Sequence, residues 1–255
     1  MPSSLSKVLV AAVTLAGAWS VSAAPAHAAS LIPLGGGSPI WIQVNQPTPT
    51  AITAETCTVT AVGHDRAGNL VALTNAHCFI DKAGNKLVGD KVYKSTAPGG
   101  QGLNVAPTPT AEQAISDVAV GPIGTATYVS EPNNLLSGGP AGLDYAVIEL
   151  DPAKVAPVST VGGVTITSIG DLPPIGTRMC KQGWATGLTC GVLTGSDSKW
   201  FTSLIWTWAG DSGSPTVVGN TLVGNAWGAF HHTRILSILA DMDAHGGVGA
   251  GFHLG

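Results

Sequence analysis

Short runs of strand-forming residues follow one another along most of this chain, and Gly, Pro, Asn or Asp separates one run from the next. This punctuation predicts an all-β fold, because those residues terminate strands and occupy turns. The first two runs flank a turn at residues 64–69 and so predict a β-hairpin. The predicted strands are Cys57–Val62, Leu70–Thr74, Lys91–Lys94, Ala126–Ser130, Ala146–Leu150, Gly163–Ser168, Thr189–Leu193, Phe201–Ile205, Thr216–Val218 and Thr221–Ala226.

One segment departs from this pattern. Thr233–Asp243 carries apolar residues at helical spacing, which predicts a single helix near the C-terminus. The Pro-containing stretch Asp151–Pro157 divides the strands into two groups. We therefore expect two packed β barrels, the first over residues 51–152 and the second, with the helix, over residues 153–245. The Gly-rich tail 246–255 is expected to be flexible.

The N-terminal residues 1–28 have the features of a secretory signal peptide. Lys7 precedes the apolar run Val8–Val21, and Ala26-His27-Ala28 has the form of a cleavage site. The apolar run is shorter than the roughly 20 residues that a membrane-spanning helix needs. We expect a secreted protein with no membrane span after cleavage, in which residues 29–50 are a leader or a loosely held arm.

Composition excludes several classes of protein. The chain has 255 residues, 44% hydrophobic and 10% charged, which argues against disorder. Lys and Arg number 11 against 15 Asp and Glu, so the net charge is −4. No basic surface for nucleic acid is therefore expected.

Four cysteines, an even number, fit an exported protein. They are Cys57, Cys78, Cys180 and Cys190. Sequence allows three connectivities, of which 57–78 with 180–190 would join residues within each half. The cysteines form no C-x-x-C pair, which argues against zinc, and His231-His232 has no acid or cysteine at ligand spacing and is interpreted as a solvated turn. We expect neither a metal nor another cofactor.

The motif Gly210-Asp211-Ser212-Gly213-Ser214-Pro215 lies between two predicted strands. A serine between glycines can occupy a tight turn that exposes its hydroxyl and lets backbone N–H groups converge. That arrangement suits a nucleophile with an oxyanion hole. Alone, the motif is equally an ordinary surface turn, so the test is whether a base exists elsewhere.

A candidate base follows the first hairpin, where His77 stands beside Cys78. A disulfide there would restrain the backbone of the base, and positioning is much of what a general base contributes. The third group required is a carboxylate that orients the imidazole. Asp144 and Asp117 both precede an apolar run; we favour Asp144, because its predicted strand Ala146–Leu150 is longer and closer to the linker.

Three motifs in this order, Thr74–Cys78, Asp144–Leu150 and Gly210–Pro215, resemble those of the secreted trypsin/chymotrypsin-like serine proteases. The bacterial, streptogrisin-like branch is the most similar, and the likeness covers about residues 55–240. The resemblance implies two six-stranded antiparallel barrels with an active site between them.

By the same resemblance, His77 is the general base, Asp144 orients it and Ser212 is the nucleophile. The N–H groups of Gly210 and Ser212 form the oxyanion hole. In the animal enzymes of this family a freed N-terminus pairs with the acid before the nucleophile, and this sequence has no such Ile-Val-Gly-Gly segment. We expect Lys181 or Arg178 to pair with Asp211 instead.

Substrate contacts are also implied by the resemblance. Ala226-Trp227-Gly228 is similar to the family's substrate-binding Ser-Trp-Gly strand, which binds through backbone groups. Trp206 stands where trypsin-like members carry the acid that binds Lys or Arg, so that preference is not expected. Trp206 and Trp208 either line an apolar pocket or fill it.

The function predicted from these observations is a secreted serine endopeptidase that cleaves polypeptides and acts as a monomer. Two alternatives remain open at this point. One is a catalytically silent, protease-like binding protein with a blocked pocket, and the other is an esterase that uses the same triad.

Overall fold

The structure is a computed structural model that describes residues 30–134, 138–139 and 141–255. The predicted signal peptide, residues 1–28, lies outside the described residues. Within the described ranges, no helix combines the length and the apolar character needed to cross a membrane.

The described residues form mostly strands, with two α-helices and one short 3-10 turn at His77–Phe79. The helices are α1 Ala111–Ala119 and α2 Ile235–His245. The strands are β1 Ile32–Leu34, β2 Pro39–Thr48, β3 Ala51–Thr58, β4 Ala61–His64, β5 Leu70–Thr74, β6 Lys91–Lys94, β7 Gly124–Val129, β8 Ala146–Leu150, β9 Val155–Pro157, β10 Thr160–Val161, β11 Val164–Thr165, β12 Ser168–Ile169, β13 Arg178–Gly183, β14 Gly187–Ser196, β15 Trp200–Ser203, β16 Pro215–Val218, β17 Thr221–Gly228, β18 His231–Arg234 and β19 His253–Leu254.

The C-terminal half contains a closed barrel of six antiparallel strands. Its order is β17-β16-β13-β14-β15-β18, and β18 pairs again with β17 to complete the ring. The short strand β12 adds to the edge of β17 in parallel. The predicted strand Gly163–Ser168 does not form as one element, because the chain there is divided between β11 and β12.

The N-terminal half is a curled sheet in the order β19-β4-β5-β8-β7-β6-β2-β3. Only Val59 and Thr60 separate β3 from β4, so the chain itself joins the two sides of the sheet. The Thr60 N–H donates to the Leu73 carbonyl at 2.7 Å across this junction. The predicted β architecture with a C-terminal helix is confirmed.

Both faces of the central strands of the N-terminal sheet are buried. In β5, Leu70 and Ala72 belong to a core inside this sheet, whereas Val71 and Leu73 face a second core. This alternation follows from the two-residue repeat of a strand. The second core also contains Leu222 of β17 and residues of α2, so it packs the two halves against each other.

Residues 39–48 are not a loosely held arm, and that prediction is wrong for them. They form β2, which pairs with β3 and β6. Ile40 and Ile42 are fully buried in the core of the first sheet, and Trp41 is buried on the other face. Burial of three large apolar side chains outweighs the preceding Gly-rich segment.

The C-terminal tail is also more ordered than predicted. Phe252 is buried in the core between the halves, and His253–Leu254 pairs with β4 as β19. The Gly249 N–H donates to the Asp65 carboxylate at 3.0 Å. The glycines of this tail supply turns at positive φ, +99° at Gly249, rather than mobility.

Helix α1 was not predicted from periodicity. It begins at a capping box, in which the Thr110 hydroxyl accepts the Gln113 N–H and the Gln113 side chain accepts the Thr110 N–H, both at 3.2 Å. This Thr-x-x-Gln spacing was the available signal. The segment Ser116–Val120, interpreted above as an acid preceding a strand, lies largely within this helix.

Candidate active site

Two disulfides tie the elements that carry the candidate residues. Cys57 of β3 is bonded to Cys78 in the 3-10 turn, and Cys180 of β13 to Cys190 of β14. Of the three connectivities that sequence allowed, the structure has the one with local pairs. The first disulfide fixes the turn that begins at His77.

The structure brings His77, Asp144 and Ser212 together at the boundary between the two halves. His77 Nδ1 lies 2.7 Å from Asp144 Oδ2, and His77 Nε2 lies 2.7 Å from Ser212 Oγ. The backbone N–H of His77 also donates to Asp144 Oδ1 at 2.8 Å. The carboxylate therefore fixes both the ring and the backbone of the histidine, which leaves Nε2 directed at the serine.

The backbone of Asp144 is supported by two asparagine side chains whose role the sequence did not reveal. Its side chain is 1% exposed, and its φ of +54° lies in the left-handed region that non-glycine residues seldom occupy. The Asn75 amide donates at 2.7 Å to the Asp144 carbonyl and at 2.7 Å to Asn225 Oδ1. Both asparagines are fully buried. They brace an otherwise unfavourable backbone conformation.

The imidazole of His77 has a perturbed acidity. Burial disfavours its charged form, but the negative charge of Asp144 and the hydrogen bond to that carboxylate outweigh burial. The pKa of His77 is accordingly raised above its usual value of 6.5. The charged form of this ring therefore persists to higher pH than in a histidine without such a partner.

The Ser212 loop begins with a tight turn. The Asp211 N–H donates to the Trp208 carbonyl at 2.9 Å, and Gly210 in this turn has φ of +99°. A side chain at Gly210 would also collide with the Trp184 ring, since a Cβ would lie 2.5 Å from it. Within the described part of the chain, the N–H groups of Gly210 and Ser212 donate to no protein acceptor. Both are free to bind a ligand oxygen.

Strand β3 and the residues after it hold this loop from the opposite half. The Thr58 N–H donates to the Ser212 carbonyl at 2.8 Å, and its hydroxyl donates to the Gly210 carbonyl at 2.8 Å. The Thr60 hydroxyl donates to the Gly213 carbonyl at 2.7 Å. Gly213 must be glycine, because a Cβ would lie 2.0 Å from the Thr58 carbonyl oxygen. These threonines carried no motif that would have identified them.

The cation that pairs with Asp211 lies inside the closed barrel of the C-terminal half. Lys181 Nζ lies 3.0 Å from Asp211 Oδ2, and both side chains are almost wholly buried. Thr186 donates to the same carboxylate through its N–H at 3.1 Å and its hydroxyl at 2.6 Å. Burial lowers the pKa of Lys181, which the charge of Asp211 opposes. Arg178, the other predicted partner, is exposed.

An open cavity of about 390 Å³ adjoins Ser212. Trp208 and Trp227 line it, and the only ionisable side chain in its walls is Asp211, which is paired with Lys181. Trp206 does not line this cavity; its ring lies against Trp208 at 5.8 Å between centroids. Trp208 therefore lines an open cavity beside Ser212, and Trp206, the other tryptophan predicted to contact substrate, does not.

The predicted substrate strand forms the end of β17. The pairing of β17 with β16 stops at Asn225, and beyond it Ala226 bonds to the nucleophile loop. Its N–H donates to the Ser214 carbonyl at 3.0 Å, and its carbonyl accepts the Gly213 N–H at 2.9 Å. Ala226, Trp227 and Gly228 all contribute to the wall of the cavity beside Ser212.

Two other predicted features lie elsewhere. Asp117 is buried in α1, where its carboxylate accepts the Trp41 indole N–H at 2.8 Å and the N–H and hydroxyl of Thr96. It therefore fastens the helix to the first sheet and does not pair with His77.

The interpretation of His231-His232 as a solvated turn is wrong for His232. This residue is in β18, fully buried between the hydroxyls of Ser203 and Thr216. Burial, with the nearby charges of His231 and Lys181, lowers the pKa of His232 to about 3. A neutral, hydrogen-bonded ring explains how a histidine occupies the barrel interior.

Comparison with known proteins places this architecture. The sequence matches no protein-family model and no curated protein. Thermobifida fusca protease A superimposes with a TM-score of 0.57 at 16% identity, over 88% of this chain and 100% of that one. Nocardiopsis protease gives 0.55 at 16% identity, and Cellulomonas bogoriensis chymotrypsin 0.50 at 18%, each over 82% of this chain and 96% of the other. The chain has the fold of bacterial chymotrypsin-like serine proteases.

Proposed function

We propose that this chain is a serine endopeptidase that hydrolyses peptide bonds through an acyl-enzyme. The observation that carries the proposal is the unbroken relay from buried Asp144 through His77 to Ser212, with 2.7 Å at each step. A relay of carboxylate, imidazole and hydroxyl activates a serine that is otherwise a weak nucleophile. Two free N–H groups beside that serine complete the requirements.

In the first half of the proposed reaction, Ser212 Oγ attacks the substrate carbonyl carbon while His77 Nε2 accepts the hydroxyl proton. Asp144 stabilises the imidazolium that results. The N–H groups of Gly210 and Ser212 donate to the new oxyanion, and such a donor typically contributes about 10²- to 10³-fold in rate. His77 then returns the proton to the leaving nitrogen as the C–N bond breaks.

In the second half, water enters and loses a proton to His77 Nε2 as its oxygen attacks the ester carbonyl. The second tetrahedral intermediate collapses, the bond to Ser212 Oγ breaks, and His77 returns the proton to that oxygen. The serine and the histidine end as they began. Every proton in the cycle is exchanged at Nε2.

The cavity beside Ser212 supports a preference on the acyl side of the scissile bond. Its walls are aromatic and aliphatic, with Trp208 and Trp227 the largest members, and its one carboxylate is already paired. An apolar substrate side chain fits such walls, whereas Lys or Arg would lie there without a free counter-charge. The two disulfides and the predicted signal peptide support action outside the cell.

Covalent labelling of Ser212 tests the proposal. The purified protein is treated with a fluorophosphonate and the adduct is located by mass spectrometry, with Ser212→Ala and His77→Ala as matched variants. We expect an adduct on Ser212 that is absent in Ser212→Ala and formed at least 10²-fold more slowly in His77→Ala. No adduct on folded, disulfide-bonded protein would overturn the proposal in favour of a silent binding protein.

The esterase alternative needs a second measurement. The rates of cleavage of a peptide and an ester with the same apolar acyl group are compared, using protein that reacts with the fluorophosphonate. We expect both to be cleaved, because His77 can protonate a leaving amine as well as accept a proton. Turnover of the ester with no peptide cleavage would identify an esterase instead.

A further inference from the structure

A second cavity, of about 520 Å³, adjoins the oxyanion turn. It shares Trp208 and Ala209 with the cavity beside Ser212, but it also contacts Gly210 and extends toward the first half of the molecule. The two cavities therefore flank the segment Trp208–Gly210. A polypeptide crossing Ser212 has one side of its scissile bond near each cavity.

Aromatic and aliphatic side chains form the larger part of the walls of this second cavity, and four threonines line much of the rest, at positions 53, 56, 108 and 110. Trp41 and Trp184 are buried within it, and Ile52, Ala54 and Ala114 add aliphatic surface. Both indole N–H groups are already bonded, Trp41 to Asp117 at 2.8 Å and Trp184 to the Ala97 carbonyl at 3.2 Å. The rings therefore offer hydrophobic surface without an unmet donor. Glu55 is the only ionisable side chain in the wall, and it is exposed.

The wall contributed by α1 is rigid before any substrate arrives. Asp117 ties the helix to Trp41 and Thr96, and the capping box at Thr110 fixes its first turn. Ala111 and Ala114, both small, face the cavity from that helix. A preformed apolar pocket of this size is typical of a site that binds a large side chain.

We propose that this α1 pocket selects substrates with a bulky apolar residue at the first or second position on the leaving-group side of the scissile bond. The inference rests on the proposed function and deepens it. The acyl side is assigned to the cavity bounded by Ala226–Gly228, so the chain leaving over Gly210 enters the α1 pocket. Burial of a Leu or Phe side chain there is expected to change rates at least tenfold relative to Gly.

Transfer of the acyl group to an added amine measures binding on the leaving-group side of the scissile bond without a contribution from the acyl side. The purified protein is given an ester with an apolar acyl group, together with an amino-acid amide that competes with water for the acyl-enzyme. The ratio of aminolysis to hydrolysis then reports leaving-side binding, because the acyl group is constant. We expect the ratio of aminolysis to hydrolysis to be at least tenfold higher with phenylalanine amide and leucine amide than with glycine amide and asparagine amide.

Two variants on one helix provide the matched comparison. Ala111→Trp fills the pocket from an exposed position, and Ala119→Trp adds the same side chain at an exposed site outside it. We expect Ala111→Trp to lose about tenfold of the preference for phenylalanine amide over glycine amide, measured as the ratio of aminolysis to hydrolysis. Ala119→Trp is expected to behave as the wild type.

The outcomes separate the two proposals. Ester turnover with equal partitioning to all four amides would overturn the α1 pocket and leave the endopeptidase proposal standing. Equal loss of preference in Ala111→Trp and Ala119→Trp would also overturn it. Absence of any acyl-enzyme would overturn the proposed function, and the inference with it.

Discussion

Two buried aspartates, Asp144 and Asp211, approach Ser212 from opposite halves of the molecule, and each is 1% exposed. Asp144 has as its partner a histidine whose side chain is 37% exposed. Asp211 has a lysine that is wholly enclosed, and Thr186 and the Trp208 N–H bind its remaining lone pairs. One carboxylate faces a histidine that also contacts Ser212, and the other faces a lysine enclosed in the barrel interior.

The difference shows that burial of a carboxylate does not by itself identify a catalytic residue. A carboxylate removed from water must be compensated, and both aspartates are. Only the compensation at Asp144 leaves a proton that can move, because His77 also contacts Ser212. We therefore propose a chemical role for Asp144 and a structural role for Asp211, which holds the Ser212 loop.

Replacement of Asp144 should have the largest effect on rate. Asp144→Asn keeps the size of the side chain but removes the charge that sets the tautomer of His77, and we expect kcat to fall about 10⁴-fold. Ester hydrolysis under saturating substrate measures it. Thermal melting of the same sample serves as the control and should show little change. A loss below tenfold would mean that Asp144 resembles Asp211 in function.

Replacement of Lys181 should lower the free energy of unfolding, because Lys181 pairs with Asp211 and does not contact Ser212. Lys181→Met leaves Asp211 buried without its cation, which costs about 3–5 kcal/mol in the free energy of unfolding. Denaturant titration measures the loss. The double variant Lys181→Met/Asp211→Asn should recover most of it, because no charge remains unpaired. Equal stability of the two variants would contradict the assignment of a structural ion pair.

The pKa of His77 tests whether the charge of Asp144 acts on this ring. Its pKa is raised because Asp144 favours the charged ring more than burial disfavours it, so the inactive imidazolium persists to a pH above 6.5. NMR titration of the ring should give a midpoint above 6.5 in the wild type and below it in Asp144→Asn, where burial acts alone. Activity should rise through the wild-type midpoint as pH increases. An unchanged midpoint in the variant would contradict this coupling.

The smallest effect is expected at the asparagine behind Asp144. Asn75→Ala removes the amide that supports the left-handed backbone of Asp144, and a lost buried hydrogen bond costs about 1–3 kcal/mol. We expect kcat to fall about tenfold with KM unchanged, measured on the ester. Asn75→Asp, which keeps the shape but not the donor, should not restore it. A rise in KM alone would instead place Asn75 in substrate binding.

The sequence predicted the parts of this site that lie in local motifs. His77, Asp144 and Ser212 each stand in a recognisable run, and their order along the chain predicts that they meet. It favoured Asp144 over Asp117 because the predicted strand after Asp144 is longer and closer to the linker, since both acids precede apolar runs. What separates them is tertiary: Asp117 lies in a helix whose capping box was visible at Thr110 but was not used.

The roles of residues that lie in no recognisable motif could not be predicted from the sequence. Thr58 at the end of β3 and Thr60 just after it hold the nucleophile loop, which is more than 150 positions away along the chain. Trp41 and Phe252 are buried in two segments that were predicted to be loosely held, and both segments contain paired strands. His232 lies buried in β18 rather than in a solvated turn, because the barrel encloses it. In each case a long-range contact overrode a local preference.

The return of β19 to β4 has a consequence for how long the proposed endopeptidase would survive its own activity. An endopeptidase is surrounded by copies of itself, so any segment that detaches easily is the first to be cut. Here the segment that follows α2 is anchored on the other half by Phe252, by strand pairing and by the Gly249–Asp65 hydrogen bond. Detaching it requires breaking the packing between the halves. Resistance to self-digestion would then depend on the rate of large-scale unfolding rather than on local fraying.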